Sequence, residues 1–326
     1  MYILKRFLFY VSIFWAAITL NFILPRMMPG NAASSVIARA RGQMPPQAIK
    51  ALELAFGINN HTPMIKQYFG YLWNTLHGDF GVSFTYFPEP VVQVIRSALP
   101  WTLFLIGSST ILGFLIGTVL GIYSGWRRDS MLADGAPSLL FMILNSIPQF
   151  WVALVFLFIL SYKLGWFPIA HAYDISIPVT FSWQFVLSVL YYATLPLLAL
   201  VITSLGGWSI GMRNNLVSVL SEDYIMLAHM KGLPDRQIMM NYGARNAMLP
   251  QITGFALAIG GIVGGAVVVE VVFSYPGIGY ALYQAVSNHD YPLMQTIFLI
   301  IVIAVLLANF LVDVLYSWLD PRVADV

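Results

Sequence analysis

Few side chains in this 326-residue sequence have the type and spacing for chemistry, and those that do favour binding over bond-making. The five histidines are scattered, there is no cysteine, and no Ser/His/Asp spacing sets a base beside a nucleophile. A phosphate-cradling G-x-x-x-x-G-K-[ST] loop is absent as well. No catalytic residue, no metal site and no cofactor held by this chain is therefore expected. Three polar groupings remain. Asn145, Ser146 and Gln149 bracket Pro148 inside an apolar run, where they could bond a passing solute or a neighbouring helix. Glu270 and Asp313 lie within about a turn of the ends of apolar runs, so local capping or pairing is expected of them. The third grouping is the run from Ser221 to Pro234, whose chemistry is partner recognition.

Composition dictates the elements that position these groups. The chain is 59% hydrophobic and 9% charged, against about 25% charged in soluble domains, so it reads as a chain dissolved in lipid. A net charge of +2 gives no electrostatic footprint for nucleic acid. A helix crossing about 30 Å of hydrocarbon needs about 20 apolar residues, and six stretches qualify: 7–24, 101–123, 137–161, 192–212, 252–273 and 293–316. The expected fold is all-α with six transmembrane helices, and residues 181–191 form an apolar lead-in to the fourth.

Positive charge in short loops stays cytoplasmic. Lys5 and Arg6 precede the first span, Arg127 and Arg128 follow the second, Arg213, Lys231, Arg236 and Arg245 lie between the fourth and fifth, and Arg322 follows the sixth. Short loops on the other side carry only Lys163. Both termini are thus expected in the cytoplasm. A cleaved signal peptide is the rival reading of the N-terminus, but an apolar run of about 18 residues exceeds the usual core of 7–15.

The chain divides into a tail and first helix at 1–25, a large external segment at 26–98, and a five-helix core at 99–326 with a cytoplasmic loop at 213–250. In the external segment, Thr62 and Pro63 read as a cap and first turn of a helix. Ile65, Phe69, Leu72 and Leu76 recur on one face, and Gly78 supplies the stop. Residues 46–57 suggest a shorter helix of the same kind. Such amphipathic helices lie on the outer membrane surface or cover the bundle, as a docking surface or a structural cap. Gly113, Gly117, Gly121 and Gly125 on the second span, and Gly260, Gly261, Gly264 and Gly265 on the fifth, allow helix backbones to approach closely. Static packing is the expected use, with sliding an alternative on the second span. Pro148 removes a helix hydrogen bond and invites a kink in the third.

The run from Ser221 to Pro234 has the parts of a short freestanding helix. Ser221 is expected to cap it, and Glu222 and Asp223 place acids in its first turn. Tyr224, Leu227 and Ala228 are expected to share an apolar face, Lys231 falls in the last turn, and Gly232 and Pro234 end it. Its stripe would fill a partner's groove or lie on the membrane surface.

With Ala228 and Gly232 followed by Asn246-Ala247-Met248-Leu249-Pro250, residues 222–250 resemble the EAA loop of type I ATP-binding-cassette (ABC) importer permeases. The form Glu-Asp-Tyr-x-x-x-Ala-x-x-Lys-Gly is similar to the dipeptide/oligopeptide/nickel branch. So are Leu24-Pro25-Arg26-Met27-Met28-Pro29-Gly30 after the first helix, Glu270-Val271-Val272-Phe273-Ser274-Tyr275-Pro276-Gly277 after the fifth, and Asp313 through Asp320-Pro321-Arg322 at the C-terminus. The likeness runs from end to end. It departs at Asn31, where Gly-Asp-Pro is common, and at His229 and Met230.

The resemblance implies the type I permease fold in a prokaryotic inner membrane. It implies a second homologous permease, an external substrate-binding protein, and two cytoplasmic ATPases that carry the ATP and magnesium. Glu222, Asp223, Tyr224, Leu227, Ala228, Lys231 and Gly232 would form the coupling helix. Di- or oligopeptides lead among implied substrates, with oligosaccharides and nickel complexes as alternatives. A gradient-driven secondary transporter, the reading from a different class, would need midplane ionisable groups or inverted repeats.

Overall fold

The computed structural model describes residues 2–28, 63–264 and 266–319. Among them there is no strand, only an isolated antiparallel bridge between Val82 and Pro90. The helices are α1 (Tyr2–Met27), α2 (Met64–Leu76), α3 (Val91–Trp126), α4 (Ala136–Ser146), α5 (Gln149–Phe156), α6 (Trp183–Leu220), α7 (Asp223–Met230), α8 (Arg245–Gly261), α9 (Val267–Val272), α10 (Ile278–Ser287) and α11 (Tyr291–Leu319). Wide-turn segments precede α4 at Met131–Gly135, follow α5 at Leu157–Lys163, and lead into α8 at Ile238–Ala244.

Among the described residues, four segments are long and apolar enough to cross a membrane: Arg6–Met27, Val91–Trp126, Trp183–Leu220 and Tyr291–Leu311. The expected third span is instead a pair, Met131–Ser146 and Gln149–Lys163, bent by 93°. The cause is local. Proline disfavours helical backbone in the residue before it, and Ile147 is extended at ψ 127° while Pro148 caps α5. The expected fifth span is interrupted too, by a 3-10 turn at Ile262–Gly264 between α8 and α9. Glycine weakens a helix interior by about 1 kcal/mol per residue, and the glycines at 260, 261 and 264 fall at that break. A methyl at Gly261 would meet nothing within 4 Å in this chain. The apolar lead-in merges into α6, which starts at Trp183 with Ser182 Oγ accepting from Phe185 N at 3.2 Å.

The described residues form two compact units. One contains α1, α2, the first turns of α3, α10 and α11. Val91, Val94, Ile95 and Ala98 pack there against Ile278 and Ala281 of α10 and Leu293 and Ile297 of α11. Asp290, fully buried ahead of α11, accepts from Ser83 Oγ, from Thr85 N at 2.9 Å and from Leu293 N at 3.2 Å. That carboxylate stitches the chain entering α3 to the start of α11. The expected helix after Pro63 is α2, ended by Gly78 at φ +73°. Its proposed cap Thr62 and the helix expected at 46–57 lie outside the described residues.

The other unit holds the rest of α3 with α4 through α9. Its glycine row does the close packing. A methyl at Gly117 would sit 2.6 Å from Trp208 Cβ, and one at Gly121 would sit 2.7 Å from Met212 Cβ, so α3 and α6 approach almost backbone to backbone. Phe114, Trp208 and Phe255 form a ring cluster joining α3, α6 and α8, with Phe114 and Phe255 stacked at 4.3 Å.

Candidate functional site

Helix α7 stands between α6 and α8 and has eight residues, too few to persist alone in water. It is held by a seat and a stop. Ile225 and Ala228, at i and i+3, are buried against Ile238, with Trp126, Leu220, Leu233 and Tyr242 packed around them. The stop is a Schellman arrangement: Gly232 N donates to His229 O at 2.9 Å and Leu233 N to Ala228 O at 3.4 Å. Gly232 sits at φ +68°, a left-handed conformation that suits glycine, and Leu233 tucks back onto the helix.

This geometry differs from the expected apolar stripe. Ala228 is 3% exposed, whereas Leu227 is 52% and Tyr224 38% exposed. The small residue faces the protein's own loop, and Tyr224, Met226, Leu227 and Met230 face outward. Asn246 Nδ2 donates to the Tyr224 hydroxyl at 3.0 Å and to Tyr242 O at 2.9 Å, fixing the ring on the exposed side. Glu222, Asp223, Lys231 and Gly232 are exposed around it. Ser221 does not cap α7. It ends α6, its hydroxyl donating to Ser218 O at 2.7 Å, and Glu222 takes the cap position with no side-chain bond to the helix. An α6 that runs eight residues past the expected end at 212 takes Ser221 into its own terminus.

Near the same end of α6 lies a charged cluster that the sequence did not single out. Arg213 forms a two-pronged ion pair with Asp134, and Asp134 Oδ1 also accepts from Ser124 Oγ at 2.6 Å and Ser138 Oγ at 2.7 Å. The Asp134 side chain is 5% exposed and that of Arg213 28%. One carboxylate thereby ties together the end of α3, the start of α4 and the last turns of α6. No local pattern marks Asp134, because its partner lies 79 residues away.

The polar residues of the third span separate at its break. In an unbroken helix Asn145 and Gln149 would stand one turn apart on one face, but the bend at Ile147 and Pro148 puts them on different helices, α4 and α5. Asn145 packs where α6 has no side chain: a methyl at Gly206 would lie 2.7 Å from Asn145 Cβ, and one at Gly207 3.3 Å from its Oδ1. Ser146 returns its hydroxyl to Met142 O at 2.9 Å. All three, Asn145, Ser146 and Gln149, are exposed in this chain. Glu270 is fully buried on α9, beside the buried Tyr275, whose N–H donates to Glu270 O at 2.8 Å. The Asp313 side chain lies outside the described set. Among the described residues no three His, Cys, Asp or Glu side chains gather into a metal site.

Known proteins match this sequence over nearly the whole chain. A family model described as binding-protein-dependent transport system inner membrane component matches residues 117–325. The oligopeptide transport system permease protein AppB of Bacillus subtilis (strain 168) is 32% identical over 99% of this chain and 98% of its own length. A putative peptide permease protein of Brucella suis biovar 1 is also 32% identical, over 99% and 98%. The dipeptide transport system permease protein DppB of Alkalihalophilus pseudofirmus is 29% identical over the same shares.

The Asp134 cluster yields a stability test. Arg213→Ala leaves a carboxylate buried with only two serines, so the purified chain is expected to lose about 2–4 kcal/mol of stability. Replacing both partners, Asp134→Leu with Arg213→Met, is expected to recover most of that loss, as read by thermal unfolding in detergent.

Proposed function

The chain belongs to the binding-protein-dependent transport system inner membrane component family, and from that premise we propose that it is one of two homologous permeases of an ATP-driven peptide importer. It is a multi-pass inner-membrane permease subunit, and its relatives are transport permeases, not enzymes. Peptide is the substrate class that the names of those relatives support. In this reading two cytoplasmic ATPases hold the ATP and magnesium, and an external binding protein delivers the solute.

The observation that carries the reading is the seating of α7. Ile225 and Ala228 anchor the helix to its own subunit, which frees Tyr224, Leu227 and Met230 to enter an ATPase groove. Because α7 is wedged against Leu220 at the end of α6, a push on its outer face bears directly on a spanning helix. Glu222, Asp223 and Lys231 would make the polar rim of that contact. The six-span topology follows if the bent pair α4–α5 makes one crossing and α8 with α9 another, with both termini cytoplasmic and residues 26–98 external. Asn145, Ser146 and Gln149 then line the translocation path at the break in the third span. Two exposed amides facing lipid would each cost a few kcal/mol, so that side must meet water, solute or the second permease.

Three measurements test these assignments. Gly232→Asp places a charge where the open side of the turn meets the ATPase. Insertion and co-purification with the ATPases should persist while ATP-driven uptake in proteoliposomes falls roughly tenfold, the equivalent of about 1.4 kcal/mol. Normal uptake would sink the coupling role. For orientation, Glu89→Cys and Asp235→Cys are both exposed probes in a chain without native cysteine. An impermeant thiol reagent should reach position 89 in intact cells and position 235 only after permeabilisation. For the path, Asn145→Leu with Gln149→Leu should cut uptake per assembled complex several-fold and shift unfolding by less than about 1 kcal/mol. Lost stability with normal uptake would make the two amides packing groups.

A further inference from the structure

Helix α2 has three faces roughly a third of a turn apart. One meets α1: Tyr68 shares a hydrogen bond with Thr19 at 2.7 Å, the Tyr71 hydroxyl accepts from Asn21 at 3.2 Å, and Gln67 Oε1 accepts from Arg26 Nε at 3.4 Å. The second is apolar and uncovered, with Ile65, Phe69, Trp73 and Leu76 exposed by 63% at Phe69 up to 81% at Leu76. The third, Lys66, Gly70 and Asn74, is polar or bare and also exposed. Of the expected face, Ile65, Phe69 and Leu76 are exposed with Trp73 beside them, Leu72 is half-buried, and this is not the face that packs on the protein. Tyrosine hydroxyls and an amide hold the helix down, and the hydrocarbon is left free.

The contacts also give the helix a depth and a direction. Residues 67–71 of α2 meet positions from 19 to 26 of α1, so α2 crosses α1 near its C-terminal end. Arg26, at the top of that crossing, bonds Gln67 and lies 3.6 Å over the Phe22 ring. Below the crossing, an open apolar groove runs between Ile65 and Phe69 on one side and Trp15, Phe22 and Ile23 on the other. Trp15 falls near the middle of the Arg6–Met27 span, about 16 Å down the helix from Arg26. The uncovered face of α2 thus opens toward the membrane centre, in continuity with the exposed Trp15 and Ile23 of α1. Arg26 and Lys66 stand at the level where anionic headgroups would lie.

We propose that α2 is an interfacial lipid-binding helix. Ile65, Phe69, Trp73 and Leu76 enter the acyl region, and a phospholipid acyl chain occupies the groove against Trp15. Tryptophan at position 73 suits the boundary between headgroup and acyl layers. An apolar face set apart from a polar face, with the third face bonded to a spanning helix, fits a lipid surface, which is apolar on one side and wet on the other. Naming the leaflet as the outer one rests on the orientation proposed above; the lipid seat does not.

The absence of native cysteine makes the test direct. Phe69→Cys and Asn74→Cys are introduced singly into the full chain and carried into proteoliposomes, each labelled with a bimane fluorophore. Lipids brominated along the acyl chain are expected to quench position 69 roughly fivefold more than position 74. Unlabelled samples should show the reverse order with an impermeant maleimide, position 74 reacting fast and position 69 slowly. Equal quenching at both positions, or fast maleimide reaction at 69, overturns the lipid seat and leaves a water-facing surface for a protein partner. Strong quenching at 69 with maleimide reaching 74 in inside-out vesicles but not in right-side-out ones would keep the lipid seat and overturn the assignment to the outer leaflet.

Discussion

Hydrocarbon offers no water to a backbone N–H or C=O, so a chain crossing it must satisfy these groups within its own helices. That requirement explains why the described residues are helical almost throughout, and it gives meaning to the two places where helix stops inside an apolar run. At Ile147 and Pro148 the chain turns by 93°, and at Ile262–Gly264 it passes through a 3-10 turn between α8 and α9. Backbone freed at such breaks must face protein, water or solute. The break at Ile147 and Pro148 carries Asn145 and Gln149 on its two sides, amides that hydrocarbon would penalise equally.

The same solvent removes the usual force that packs helices, since lipid tails are as apolar as leucine. Close approach and polar ties must substitute. The glycine row on α3 lets α6 come near enough for side chains to clash with any added methyl. Asp134 binds Arg213 and two serine hydroxyls, joining three helices through one carboxylate. Asp290 does similar work in the other unit, where it accepts from Ser83 and Thr85.

The short helices between the long apolar ones are held by other means. Helix α7 has eight residues and cannot hold its shape by propensity, so it relies on two buried side chains and a glycine-terminated stop. Burying its smallest apolar residue, Ala228, brings the helix close to its own loop and leaves the bulkier Tyr224, Leu227 and Met230 exposed. Helix α2 shows the same division, with hydroxyls toward the protein and hydrocarbon away from it.

Composition and hydropathy by themselves determined that the chain is a helical membrane protein, and the motifs at 222–250, 24–30 and 270–277 carried its family resemblance. They also placed the stop at Gly232 and the helix before Gly78, because turn chemistry and left-handed glycine act over a few residues. Tertiary structure decided what those local signals leave open. Periodicity gives a helix an apolar face but not what that face meets, so the exposure of Ile65 and Phe69 and the burial of Ala228 became visible only with neighbours in place. Span continuity also needed the structure: one proline and a cluster of glycines break runs whose hydropathy is unbroken. The ion pair of Asp134 with Arg213 and the bond of Asp290 to Ser83 join residues 79 and 207 positions apart. No window along the chain contains both members of either pair, and the folded helices alone bring them together.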